Sequence, residues 1–366
     1  MENNSINSKT TIDGIQYLRT VAALMVVMFH SRLTVYGSDS WPAFGHSGVD
    51  IFFVISGFIM AYATKNINPN SNFTLRLSDT YEFLRKRFIR IFPLYFLGLL
   101  WVSRRDISQG NFSTDLLKDF FFIPHPNMEY PAMLAPTLIQ GWTLNYEMFF
   151  YLIFGISLLF GKLRTTITIT SLLFLVSIGI YFNSHNSSFN PNSFADILFH
   201  FYTNNILIEF GLGILAYKFF IKFQDFKISR LTLLLLATTA FTALALLSDA
   251  KGLRGIMLGI PAFLIVVSVC RLCVGFKIPF LNLLGDASYA IYLFHWASFG
   301  ATKPLVAYLS SSAGEQPTVA ILMISNFIIA VVSGVAIHLF IEKPLLNKIR
   351  YFGKNVDKTN YASSLN

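Results

Sequence analysis

Ten mostly apolar stretches, each about the length of the ~20-residue helix that spans a hydrocarbon core, follow one another along this chain. They cover residues 16–36, 47–64, 88–102, 141–160, 166–182, 201–220, 231–247, 255–270, 287–309 and 319–340. The third is short, with Arg87 and Arg90 snorkelling from its start; the ninth carries Lys303-Pro304 and stops near there. Composition agrees: 54% of residues are hydrophobic and 13% charged, against about 25% charged in soluble domains. A soluble globule cannot cover that much apolar surface with so few charges. Disorder is excluded by 38 phenylalanines in 366 residues. A disulfide scaffold is excluded because the only cysteines, Cys270 and Cys273, form one C-x-x-C pair, too few ligands for a zinc site. The expected fold is an all-α, multi-pass membrane protein of about ten helices.

The net charge of +9 fits either a nucleic-acid binder or a membrane protein with a basic inner face. Its distribution decides. With a cytoplasmic N-terminus, three quarters of the 28 lysines and arginines fall on the cytoplasmic side. Both termini are therefore expected inside, and no nucleic-acid partner is needed. The chain reads as a polar tail over 1–13, one membrane domain over 14–345, and a polar tail over 346–366. The first stretch lacks a signal-peptide cleavage site, and no internal repeat or appended soluble domain is evident. The loop over 103–140 holds Pro124, Pro126, Pro131 and Pro136 and is expected to be irregular and surface-bound.

Ionisable residues within membrane spans are costly and mark function. Here they are His30, Asp50, Glu147, Glu209, His295 and His338. Under this topology His30, Asp50 and Glu147 share one depth in the outer half of the membrane. A histidine with two carboxylates suits acid–base work on a hydroxyl: the imidazole takes the proton, and a carboxylate orients it. The competing reading is a set of hydrogen bonds that only hold helices together, and Glu209 and His338 fit it better. Arg85, Lys86, Arg87 and Arg90 precede the third span, and Arg19 lies low in the first. Guanidinium groups match phosphates bidentately, so Arg19, Arg87 and Arg90 are candidates to hold a phosphorylated donor. Basic residues also belong at cytoplasmic helix ends for topology alone. Eleven residues of helix separate Arg19 from His30, about 16 Å, a span of the order of an extended pantetheine arm. A buried His and carboxylates also build proton relays in transporters, the rival class.

Several motifs together resemble the acyltransferase 3 family of integral membrane acyltransferases. They are Arg19-x10-His30, Gly48-Val-Asp50-Ile-Phe-Phe-Val-Ile-Ser56-Gly57-Phe58, Arg87-x-x-Arg90-Ile-Phe-Pro93 and Gly141-Trp142-Thr-Leu-Asn145-Tyr-Glu147-Met-Phe-Phe-Tyr151. Leu284-Gly-Asp-Ala-Ser288-Tyr289-Ala-Ile-Tyr292-Leu-Phe-His295-Trp296 and Glu342-Lys-Pro344 complete the series. The resemblance is greatest to the branch that acylates bacterial exopolysaccharide and O-antigen. It implies ten core helices in the bacterial inner membrane, an acyl-CoA donor (usually acetyl-CoA), and a carbohydrate hydroxyl as acceptor. It implies His30 as the essential histidine, with Arg19, Arg87 and Arg90 at the donor site. Asp50 and Glu147 are then partners of His30 or elements that position helices. No resident cofactor or metal is implied; polysaccharide-assembly proteins are possible partners. The resemblance leaves open both direct transfer and a transient acyl-histidine. An acceptor that is a lipid or small molecule is the alternative within the enzyme class.

Overall fold

A computed structural model describes residues 12–33, 43–127, 134–185, 189–190, 192–249, 252–302, 304 and 315–351. Among these the chain is helical, and its one extended pairing is an isolated antiparallel bridge between Pro126 and Leu134. In chain order the helices are α1 (Asp13–Leu33), α2 (Gly48–Ala63), α3 (Phe73–Val102), α4 (Arg104–Ser108) and α5 (Thr114–Phe120). Then come α6 (Trp142–Leu158), α7 (Arg164–His185), α8 (Phe194–Tyr202), α9 (Leu207–Lys222) and α10 (Arg230–Leu247). The last four are α11 (Arg254–Met257), α12 (Gly259–Leu272), α13 (Pro279–Ser298) and α14 (Glu315–Ile337). A π-helical turn, His338–Glu342, carries α14 into helix over 343–351.

These helices form two compact units. The first comprises the described parts of Met1–Lys65, Ile208–Tyr289 and Ala307–Phe327. Its core joins Ala22, Ile51, Val54, Phe58, Ala262, Ile265 and Val266 from α1, α2 and α12. Two glycines let α2 and α9 cross backbone to backbone. A Cβ on Gly57 would lie 2.1 Å from the Phe210 carbonyl oxygen, and one on Gly213 2.1 Å from that of Val54. Neither neighbour is a side chain that can swing away. Gly213→Ala is therefore expected to cost at least the 1–3 kcal/mol typical of overpacking. A melting temperature equal to wild type in detergent would show that the two helices separate freely.

The second unit comprises the described parts of Asn66–Leu207, Ala290–Val306 and Ile328–Asn366. In it α3 packs on α6, and α6 on α7. Asn72 caps α3 by accepting from the Leu75 amide at 2.9 Å, so the helix begins far upstream of the apolar stretch. Tyr146 of α6 stacks on Phe201 of α8, ring centroids 3.9 Å apart.

The structure departs from the sequence expectation in four places. The third helix is 30 residues long rather than short, because its polar first half is capped and carries its own ion pairs, Arg85 and Lys86 on Glu82. The sixth stretch is two helices, broken between Tyr202 and Leu207, with Glu209 in the first turn of the second. The ninth begins at Pro279, eight residues early, because its polar residues find partners on α1. Asp286 accepts from Gln16 at 2.8 Å, and Asn282 donates to Asp13 at 3.2 Å. Lys303, where that stretch was expected to stop, lies outside the described residues. Finally, the loop over 103–140 is not wholly irregular: it holds α4 and α5, and it buries Asp119, His125 and Asn127.

Six helical stretches among the described residues are long and apolar enough to cross a membrane. They are Phe44–Ala63, Gly161–His185, Phe194–Lys222, Arg230–Leu247, Arg254–Leu272 and Val319–Tyr351. The four expected spans outside that set are α1, α3, α6 and α13. They carry Arg19, His30, Arg87, Arg90, Glu147 and His295. These polar side chains lower the hydropathy of the helices that bear them.

Candidate active site

In the first unit, α1 is unbroken from Asp13 to Leu33. Eleven residues at 100° each bring Arg19 and His30 to within about 20° of one face, three turns apart. Both are half-buried. The Arg19 guanidinium donates to Gln16 Oε1 at 3.0 Å, and Gln16 in turn donates to Asp286. The His30 ring lies against Phe29, centroids 5.2 Å apart, and Phe29 meets the His46 ring edge-on at 5.4 Å. His46 is thus a second imidazole beside the expected one, and its Nε2 lies 3.8 Å from Asp249.

Asp50 is fully buried. Both its oxygens accept from Arg254, Oδ1 from Nε at 2.9 Å and Oδ2 from Nη2 at 2.8 Å. Glu209, also fully buried, lies in the field of both groups. Arg254 lies just before the expected span over 255–270. It begins the short α11, so its side chain reaches α2, and no spacing rule links positions 204 residues apart.

In the second unit, Arg87 and Arg90 sit one turn apart on α3 but do different work. Arg87 lies over the rings of Phe83 and Tyr151, 5.6 and 6.0 Å from their centroids. Arg90 pairs with Glu342 at 3.2 Å, and Glu342 accepts from His338 Nδ1 at 2.7 Å. The π-helical turn sets His338 and Glu342 side by side; such turns are frequent at functional sites. The Glu342-Lys-Pro344 motif is the sequence signal for this triad, and His338, expected to hydrogen-bond between helices, bonds Glu342 one turn along its own helix. Half-buried Glu147 accepts a hydrogen bond from the Tyr151 hydroxyl, one turn along α6. His295 is fully buried; its Nδ1 faces the Tyr292 carbonyl at 2.6 Å, and the Tyr292 hydroxyl bonds Thr143 at 2.9 Å.

The loop after α5 holds a further pair. Asp119 Oδ1 lies 2.7 Å from His125 Nε2, its Oδ2 accepts from the Thr137 amide at 2.9 Å, and His125 Nδ1 faces the Pro126 carbonyl at 3.0 Å. Burial opposes protonation of His125, but the Asp119 carboxylate and then the Pro126 carbonyl outweigh it, so its pKa is raised. Both ring nitrogens face acceptors, which suits an imidazolium. A raised folded-state pKa gives stability that is full below the unfolded value, ~6.5, and is lost as pH rises through the folded value. Amide-exchange protection over 113–127 should therefore fall as pH is raised from 6 to 9, after correction for intrinsic rates. Equal protection at both would show that the pair does not titrate in this range.

The profile of the acyltransferase 3 family, described as an acyltransferase domain, matches residues 12–341. The chain is similar to the exopolysaccharide production protein ExoZ of Rhizobium meliloti, at 30% identity over 84% of this chain and 91% of the relative. It is similar to the putative membrane-bound transacylase BcsY of Komagataeibacter xylinus, at 23% over 88% and 81%. It is also similar to the O-acetyltransferase OatA of Staphylococcus aureus, at 23% over 92% of this chain and 57% of that protein. No solved structure matches it.

Proposed function

Because the chain belongs to the acyltransferase 3 family, we propose that this membrane acyltransferase moves an acetyl group from cytoplasmic acyl-CoA to a sugar hydroxyl. The acceptor is a surface polysaccharide or its lipid-linked precursor. The observation that carries the reading is the near full-length likeness to an exopolysaccharide production protein, on a chain whose motif residues head the same α1 face. In this reading ten helices cross the bacterial plasma membrane, the four polar ones included, with both termini in the cytoplasm.

His30 is the general base. Its imidazole takes the proton of the acceptor hydroxyl as that oxygen attacks the thioester carbonyl. The C–S bond breaks, the ester C–O bond forms, and the imidazolium returns its proton to the departing thiolate. Arg19, Arg87 and Arg90 hold the phosphates and arm of the donor. Asp50 and Glu147, each already engaged by a neighbour, act as positioning carboxylates. Polysaccharide-assembly proteins present the acceptor.

The test is purified protein in lipid, given labelled acetyl-CoA and an oligosaccharide. Thiol release with label on the sugar is expected. Label on lipid alone would overturn the acceptor, and absence of thiol release would overturn the donor. In the same assay Arg90→Ala is expected to raise the KM for acetyl-CoA about tenfold, the loss of one charge-assisted contact. An unchanged KM would confine Arg90 to holding Glu342.

A further inference from the structure

The second unit contains a cavity of about 290 Å³. Its lining includes Phe122, Phe149, Leu152 and Tyr202, together with Arg87 and Asn145. Asn145 is 2% exposed, yet neither its Oδ1 nor its Nδ2 has a hydrogen-bond partner among the described residues. The same holds for Arg87 Nε. A buried polar group without a partner is costly, and here three such atoms line one space. Two donors and one acceptor await a ligand.

The chemistry of that ligand is narrow. A sugar ring buried to its full extent would leave several hydroxyls against apolar walls. A plain acyl chain would leave Asn145 unpaired. A phosphate would meet Arg87 but would set its oxygens against Asn145 Oδ1. What fits is an amide on an aliphatic chain. The volume is at the low end for ligand sites, enough for an arm rather than a whole coenzyme. Phe122, which lines this space, holds a left-handed conformation (φ 56°), rare for a bulky residue, and stacks on Tyr95, ring centroids 4.8 Å apart.

We propose that this cavity reads amide groups carried on an aliphatic chain, with Asn145 as a specificity-determining residue. A carbonyl oxygen accepts from Arg87 Nε and Asn145 Nδ2, and an N–H of the same or the next amide donates to Asn145 Oδ1. Two sources share this chemistry: the pantetheine arm of an acyl-CoA, which rests on the donor reading above, and the acetamido group of an amino sugar entering by that group alone.

The experiment uses the full chain in lipid nanodiscs, as wild type, Asn145→Leu and Asn145→Asp. The probes are acetyl-CoA, S-acetylpantetheine (the same arm without the nucleotide), and paired oligosaccharides of N-acetylglucosamine and of glucose. Both variants are expected to bind acetyl-CoA and S-acetylpantetheine about tenfold more weakly, the loss of one to two neutral hydrogen bonds. Without ligand, Asn145→Leu should melt no lower than wild type, because it removes an unpaired buried amide. Weakening confined to the N-acetylglucosamine oligosaccharide supports the proposal with the sugar as source. If wild type neither binds nor uses acetyl-CoA, the donor reading fails and the sugar pair alone decides the amide reading. Wild-type binding of every probe by Asn145→Asp overturns the proposal and leaves Asn145 a packing residue.

Discussion

His30→Ala is expected to leave the protein in the membrane at its usual level and to lower acetyl transfer by about 10²–10⁴-fold, the range for losing a general base. The residue sits in the last turn of α1 and is half-buried, so its removal opens little core. Its ring packs on Phe29, beside His46. That neighbour makes the comparison sharper. His46→Ala should retain most of the transfer rate if His30 alone takes the proton, and full acetylation by His30→Ala would shift the base role to His46. Omitting the acceptor separates the two chemical routes. Label trapped on wild-type protein and absent from His30→Ala would mean an acyl-histidine; no trapped label means direct transfer.

Asp50→Ala is expected to destabilise the protein by about 3 kcal/mol, because it removes the buried carboxylate that accepts two hydrogen bonds from the Arg254 guanidinium. The figure is at the low end for buried pairs because the Arg254 side chain is 37% exposed and keeps some water. Truncating Arg254 instead leaves Asp50 fully buried beside Glu209 without its ion partner and should be at least as damaging. The double variant, Asp50→Ala with Arg254→Leu, removes both charges and should recover most of the lost stability. Activity then assigns the role. If Asp50 only positions helices, the refolded double variant transfers acetyl at a near-normal rate. If it orients the catalytic imidazole, the double variant folds and stays slow. Failure of the double variant to regain stability would mean that the pair is not the source of the loss.

Much of this protein was legible before its fold. Apolar length is a local property, so it marked where helices lie, though not where each begins or breaks. Motif residues within one helix were equally accessible. Arg19 and His30 stand on one face because eleven residues is close to three full turns. Glu147 and Tyr151 meet because they are one turn apart.

What depended on tertiary structure were the pairings between distant segments and the boundaries those pairings set. α3 runs far upstream of its apolar part because a cap and ion pairs stabilise a polar half that hydropathy rejects. α13 starts early because Asn282 and Asp286 find partners on α1. The break before α9, the Asp50–Arg254 bond, and the Arg90–Glu342–His338 chain all follow from which helix lies beside which, and residue spacing cannot encode that. The unpaired Asn145 is the clearest case: within its motif it is one polar residue among several, and only packing strips it of partners and sets it in a cavity. The chain by itself determined that it is an all-α membrane protein with basic and titratable residues in or beside its apolar helices, because the bilayer imposes a length rule on each segment separately. The tertiary structure decided which of those residues neutralise one another and which remain available for a ligand, because hydrogen bonds and ion pairs act over a few ångströms between residues the sequence places far apart.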